Sequence, residues 1–135
     1  MTAVRLLVID DSATVRAMVE QVVAQEPGFE VAAVAASVEA ARAMLDTARP
    51  DLVTLDLNMP GAHGLEFLDG LTARWRAPVV VLSSATSAEA DETREALTRG
   101  AAACFDKSRI LADAPAFRRL LRRLIDRDRR RLAVA

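Results

Sequence analysis

The residues of this 135-residue chain that could do chemistry recur at one kind of place, the end of a short apolar run. Asp10 and Asp11 follow Val4 to Ile9, and Asp56 lies near the end of Asp51 to Leu57. Ser83 and Ser84 follow Val79 to Leu82, and Lys107 follows Ala102 to Asp106. Clustered carboxylates repel one another and need a cation. Oxygen ligands of this kind suit Mg²⁺, which keeps several waters and is completed by phosphate oxygens. A carboxylate beside such an ion can attack a phosphoryl group and become an aspartyl phosphate. Ser83 and Lys107 could then hold the added oxygens. Taken singly, each piece has a plainer reading: a solvated turn at Asp10-Asp11, ordinary turn serines, a surface lysine. Their joint placement carries the argument.

That placement requires parallel strands. Val4 to Ile9, Phe29 to Ala35, Asp51 to Leu57, Val79 to Leu82 and Ala102 to Asp106 read as five strands. Leu6 to Ile9 and Val79 to Leu82 are continuously apolar, as strands buried on both faces are. Between them the period changes to helical. Val15, Met18, Val19, Val22 and Val23 share one face, ended by Pro27-Gly28. Ser37 is a candidate N-cap for a helix burying Ala40, Ala41, Met44 and Leu45. A third helix is expected over Gly64 to Trp75, with Trp75 packing at its end. A fourth starts from a Thr86/Glu89 capping box and runs to Arg99, with Gly100 beyond it. Asp113 and Pro115 open a fifth, whose stripe is Phe117, Leu120, Leu121, Leu124 and Ile125. Strands alternating with helices give an α/β domain with a doubly wound parallel sheet. In such a sheet the working residues meet at the carboxyl edge.

Composition narrows the classes. A hydrophobic content of 52% excludes a disordered chain. One Cys excludes a disulfide framework or a Cys-cluster zinc site and points to a reducing compartment, so a cytoplasmic location is expected. The first apolar run is too short for a signal peptide or a membrane span. Charge is uneven: from Phe117 onward there are eight Arg and two Asp, a balance of +6, whereas Met1 to Ala116 carries −7. Arg118, Arg119, Arg122 and Arg123 fall on the outer face of the last helix. Past Ile125 the stripe stops, so Asp126 to Arg131 is expected to project as a frayed or free helical extension. Such a run suits phosphates, anionic lipid or an acidic partner. No aromatic residue interleaves with it, which places nucleic acid below a protein partner. His63 reads as a solvated loop residue and Cys104 as a small buried apolar one.

In order along the chain, Val8-Ile9-Asp10-Asp11-Ser12, Asp51 to Pro60, Val81-Leu82-Ser83-Ser84-Ala85 and Lys107 resemble the receiver domain of bacterial two-component response regulators. The stretch Thr54 to Leu68 and the Val-Leu-Ser-Ser segment look most like chemotaxis-type receivers, including the one that precedes a methylesterase domain. With the chain ending at Ala135, no methylesterase domain is expected within it. The resemblance implies a flavodoxin-like sheet of order 2-1-3-4-5. It implies a receiver over residues 1–125, followed by an Arg-rich helical extension or tail over residues 126–135. It makes Asp56 the phosphoacceptor for a histidine kinase or phosphotransfer protein. Asp11, Asp56 and the Asn58 backbone carbonyl would ligate Mg²⁺, with Asp10 acting through water. Ser83 would be the switch hydroxyl and Lys107 the phosphoryl partner, with Ser84 and Ala85 leaving room for donors. Signalling would run to a downstream protein through the face of helix four, strand five and helix five. A homodimer through the last helix stays open.

Two departures affect that transmission. Ser108 replaces the family's proline after Lys107, removing a cis peptide and freeing the loop. Cys104 stands where the family's switch aromatic is expected, with Phe105 beside it, so either Phe105 substitutes or the signal travels another way. The competing readings are a receiver fragment of a longer regulator with methylesterase or DNA-binding output, and a binding module that is not phosphorylated. A phosphatase with its nucleophile at Asp10 resembles the haloacid dehalogenase group, but Asp10-Asp11-Ser12 lacks the second acid of Asp-x-Asp.

Overall fold

The computed structural model describes residues 3–59, 64–84 and 87–134. Five parallel strands, β1 (Val4–Ile9), β2 (Phe29–Ala35), β3 (Leu52–Asp56), β4 (Val79–Ser83) and β5 (Ala103–Asp106), form one sheet in the order β2-β1-β3-β4-β5. Six helices accompany them: α1 (Ala13–Val23), α2 (Val38–Ala48), α3 (Gly64–Arg74), α4 (Ser87–Thr98), α5 (Arg109–Ala112) and α6 (Ala114–Val134). This is the doubly wound, flavodoxin-like arrangement, and its order reverses between β1 and β3.

Strand alternation divides the core in two. Leu6, Val8, Leu52, Val80, Leu82 and Phe105 pack with α1, α5 and α6. Leu7, Ile9, Val53, Leu55, Val79 and Val81 pack with α2, α3 and α4. Because both faces are covered, the central strands β1, β3 and β4 are buried almost throughout, and their continuous apolar runs follow from that burial. Phe117, fully buried in α6, contributes about 2 to 3 kcal/mol by area alone.

Local signals set the helix ends. Ser12 and Ser37 cap α1 and α2 through their side chains, accepting from the N–H groups of Val15 and Ala40. Each cap is worth about 1 kcal/mol. Gly100 closes the segment after α4 at φ +111, and a Cβ there would meet Thr72 Cγ2 at 3.2 Å. Both the dihedral and the close approach require glycine. Thr86, Ala85, Pro60, Gly61 and His63 lie outside the described residues.

The C-terminal end departs from expectation in one way. The short helix α5, with Ile110 fully buried, precedes the long last helix. The expected fifth helix is therefore α6. That helix continues unbroken through Asp126 to Arg131. Arg127, half-buried Asp128 and Arg131 flank an open cleft of about 560 Å³ with Thr72, Arg76 and Gly100, and the arginines there are exposed. Among the described residues, no helix is long and apolar enough to cross a membrane.

Candidate functional site

The carboxyl ends of β1, β3 and β5 each finish in an aspartate whose Oδ1 accepts from the backbone N–H two residues on. Asp10 binds Ser12 N, Asp56 binds Asn58 N and Asp106 binds Ser108 N, each at 2.9 Å. This turn fixes one carboxylate oxygen and leaves the other to point elsewhere. For Asp10 and Asp56, the second oxygen meets one cation. Lys107 Nζ lies 3.3 Å from Asp10 Oδ2 and 3.0 Å from Asp56 Oδ2.

The sheet makes that bridge possible. Asp56 pairs in register with Leu82, and Ser83 with Asp106. The Lys107 N–H donates to the Ser83 carbonyl at 2.8 Å, carrying the ladder one residue beyond β5. Lys107 is thereby anchored while its side chain reaches across β4 to β3 and β1. The Asp10 N–H likewise donates to the Ala35 carbonyl at 3.0 Å.

Asp10, Asp11 and Asp56 each place a carboxylate oxygen within 4.8 Å of the others. Asp10 is fully buried, Asp56 is 2% exposed and Asp11 faces solvent. Three carboxylates here face one bridging ammonium. Asp10 Oδ2 is fully buried, and the cation it meets, Lys107 Nζ at 3.3 Å, is shared with Asp56. Three carboxylates within reach of one point, two of them buried and sharing one ammonium, form an all-oxygen donor set that fits a hard divalent cation such as Mg²⁺.

The electrostatics carry the same imbalance. Burial, aided by the Asp56 charge, raises the Asp10 carboxyl above its ordinary value. The turn N–H of Ser12 and the Lys107 ammonium oppose the rise without cancelling it. Burial alone would lower Lys107, but hydrogen bonds and attraction from Asp56 and Asp10 outweigh it and raise the ammonium. Both directions describe an acidic hollow.

The sequence-predicted residues thus come together at one edge. Asp10, Asp11, Asp56 and Lys107 meet directly, and Ser83 stands at the end of the neighbouring strand. Two residues beside the site were not placed there by the sequence pattern. Arg16 on α1 donates from Nη1 to the Asp10 carbonyl at 2.7 Å. Glu89, in the first turn of α4, accepts from the Asn58 side-chain amide and from the Ser84 N–H, the latter at 3.0 Å. Its place in a capping-box pattern was legible, whereas its reach back to β3 was not.

Two expectations are corrected beside Lys107. Cys104 is exposed, not buried, because β5 presents it on the side away from the α6 core. Phe105 takes the buried side and packs on Phe117 with ring centroids 4.9 Å apart, under the Arg109 guanidinium. The segment after Lys107 is not freed by Ser108. Its N–H and hydroxyl both bind Asp106 Oδ1, and the Ile110 N–H returns to the Lys107 carbonyl.

Fold and site together define a doubly wound α/β domain with a lysine-bridged acidic hollow at the switch in strand order. The chain belongs to the response regulator receiver domain family, whose model matches residues 6–112. It is 42% identical over 109 residues to a protein-glutamate methylesterase/protein-glutamine glutaminase of Xanthomonas campestris, covering 81% of this chain and 30% of that protein. A protein of the same description from Anaeromyxobacter dehalogenans is 45% identical over 119 residues, covering 88% and 34%. The chain spans about a third of the length of these curated relatives. Among solved structures, the response regulator domain of Thermotoga maritima CheB superposes with a TM-score of 0.79 at 26% identity, covering 92% of this chain and 97% of that one. NtrX from Brucella abortus superposes with a TM-score of 0.84 at 26% identity, covering 98% and 29%. This chain is a receiver domain of two-component signalling, and it corresponds to the receiver part of those longer enzymes.

Proposed function

We propose that Asp56 is the phosphoacceptor of this receiver, taking a phosphoryl group from a histidine kinase or phosphotransfer protein. The observation that carries this is the Lys107 ammonium shared between Asp56 and Asp10, beside a third carboxylate. Asp56 Oδ1 is fixed by the Asn58 N–H, and its Oδ2 is held by Lys107. One Asp56 oxygen attacks the donor phosphorus, the bond from phosphorus to the donor nitrogen breaks, and the imidazole leaves with that electron pair. The product is an acyl phosphate on Asp56. Lys107 then balances charge on the added oxygens. Asp11, Asp56 and the Asn58 carbonyl are the residues to hold Mg²⁺, with Asp10 acting through water. Bound there, the ion supplies charge neutralisation for the transferring phosphoryl group.

Ser83, at the end of β4, is the hydroxyl that answers the phosphoryl group, and exposed Ser84 next to it leaves donors access. Output follows the face of α4, β5 and α6. Cys104 lies on the exposed side of β5, and Phe105 couples the strand to α6 through Phe117. The arginine surface of α6 suits a protein partner over nucleic acid. A cytoplasmic location follows from a kinase-dependent role.

A second reading concerns the output. Relatives about three times as long carry methylesterase/glutaminase names, which favours this receiver governing such a domain within a longer regulator.

Labelling with a small acyl phosphate, in Mg²⁺ or in chelator, tests the chemistry. The expected product is a hydroxylamine-sensitive label that forms only with the divalent ion. A label that resists hydroxylamine, or forms equally in chelator, overturns the proposal.

A further inference from the structure

Glu89 lies outside the set of residues that do the chemistry, yet it holds two residues that adjoin them. It sits in the first turn of α4, where a carboxylate is favoured by the helix dipole. Its side chain does more than that position requires. Oε2 accepts from the Ser84 N–H at 3.0 Å, and Oε1 accepts from the Asn58 side-chain amide. One carboxylate therefore ties α4 to the end of β4 and to the residue two beyond Asp56. The two anchors are 31 and 5 residues away in sequence, so the bridge exists only in the folded domain.

Both anchors adjoin groups of the proposed reaction. Ser84 follows the Ser83 hydroxyl. Asn58 donates its own N–H to Asp56 Oδ1 at 2.9 Å. The first backbone donor after Ser83 is thus already engaged by an anion. A phosphoryl group arriving on Asp56 brings three strong acceptor oxygens and a charge of about −1.5 to −2. It competes for the same donors and repels the carboxylate that holds them.

Resting on the reading of Asp56 as phosphoacceptor, we propose that Glu89 is a positioning residue, an internal anionic latch joining α4 to Asn58 and Ser84. The latch is closed in the unmodified domain and slows the approach of anionic phosphodonors. The phosphoryl group opens it, freeing the first turn of α4. No bond is made or broken at Glu89; it exchanges hydrogen bonds only.

Three substitutions separate its parts. Glu89→Ala removes reach and charge, Glu89→Asp keeps the charge but shortens the reach, and Glu89→Gln keeps the reach without the charge. Two readouts are taken: amide exchange of Ser84 without any donor, and the rate of labelling by a small acyl phosphate in Mg²⁺. Faster Ser84 exchange is expected in the Ala and Asp variants, with less change in Gln. Labelling is expected to quicken roughly threefold to tenfold in Ala and Gln, the scale of one charge removed near the reacting group. The gain should shrink as salt is added. In the wild type, labelling should release the Asn58 side-chain amide from Glu89 and shift its resonances; resonances that stay in place would overturn the release step. Unchanged Ser84 exchange in Glu89→Ala, or labelling no faster than wild type, overturns the latch. A wild type that takes no label, while Ser84 exchange still responds to Glu89→Ala, overturns the phosphoacceptor reading and with it the release step.

Discussion

Lys107 Nζ stands 3.0 Å from Asp56 Oδ2, holding a carboxylate that is 2% exposed. The same ammonium reaches Asp10 Oδ2 at 3.3 Å. One lysine therefore serves two buried acids from different strands. Its removal leaves both without a counter-charge, and breaking buried pairs of this kind is costly. Lys107→Ala is expected to lose about 3 kcal/mol of stability at neutral pH without metal. The loss should shrink on acidification, as the acids take up protons. Urea unfolding at pH 7 and pH 5 measures both effects.

Asp10 predicts the opposite response. Its folded carboxyl is raised above the ordinary value of 3.8, chiefly by burial. The native state then binds more protons than the unfolded state, so stability is lost as pH rises through the window above 3.8. Asp10→Asn is expected to remove that slope and to be more stable than wild type at neutral pH without metal. Added Mg²⁺ should raise the wild-type melting temperature more than that of the variant. Thermal melts with and without the ion decide the point.

At the opposite end of the sheet, Glu26 is clamped by Arg118 at 3.0 Å and Arg122 at 2.7 Å, with 14% of its side chain exposed. Burial opposes its charge, but hydrogen bonds from the two arginines prevail and lower the carboxyl below its ordinary 4.5. The stabilisation is complete above 4.5 and is lost as pH falls through the folded value. Glu26→Gln is expected to cost about 1 kcal/mol at neutral pH, allowing for solvent screening of the exposed arginines. It should flatten the acid limb of the stability curve. Denaturant midpoints from pH 7 down to pH 3 test this.

β5 separates two neighbouring side chains. Phe105 is buried against Phe117, whereas Cys104 is exposed. Phe105→Ala is expected to cost about 3 kcal/mol through the cavity it leaves. Cys104 should react with a maleimide in the native protein, and Cys104→Ser should leave stability within about 0.5 kcal/mol. Unfolding curves and thiol labelling under native conditions check the pair.

Much of this was legible because burial writes itself into residue type. Strands covered on both faces, such as Val79 to Leu82, must be apolar throughout, so an acid or lysine at the end of such a run stands out. Asp10, Asp56 and Lys107 were visible for that reason, and β1 and β2 have the bounds that their patterns indicate. Cys104 misled because its type is compatible with either side of a strand, and only the packing of α6 decides which side is covered. Asp126 to Arg131 looked unsupported because the apolar stripe ends at Ile125. The helix continues there without a stripe, carried on from the buried face that ends at Ile125, and its arginines stay exposed. Glu89 and Arg16 were not visible as site residues because their partners are Asn58, Ser84 and the Asp10 carbonyl, contacts that only the folded sheet edge creates.

The central claim is that the Asp56 carboxylate becomes an acyl phosphate. Intact-mass measurement with peptide mapping, after a small phosphodonor and Mg²⁺, tests it most directly. The account predicts one added phosphoryl mass on the wild type, located on the peptide that carries Asp56, and none on Asp56→Asn. A phosphoryl group on Asp56→Asn, or a wild type left unmodified by several donors, would contradict it.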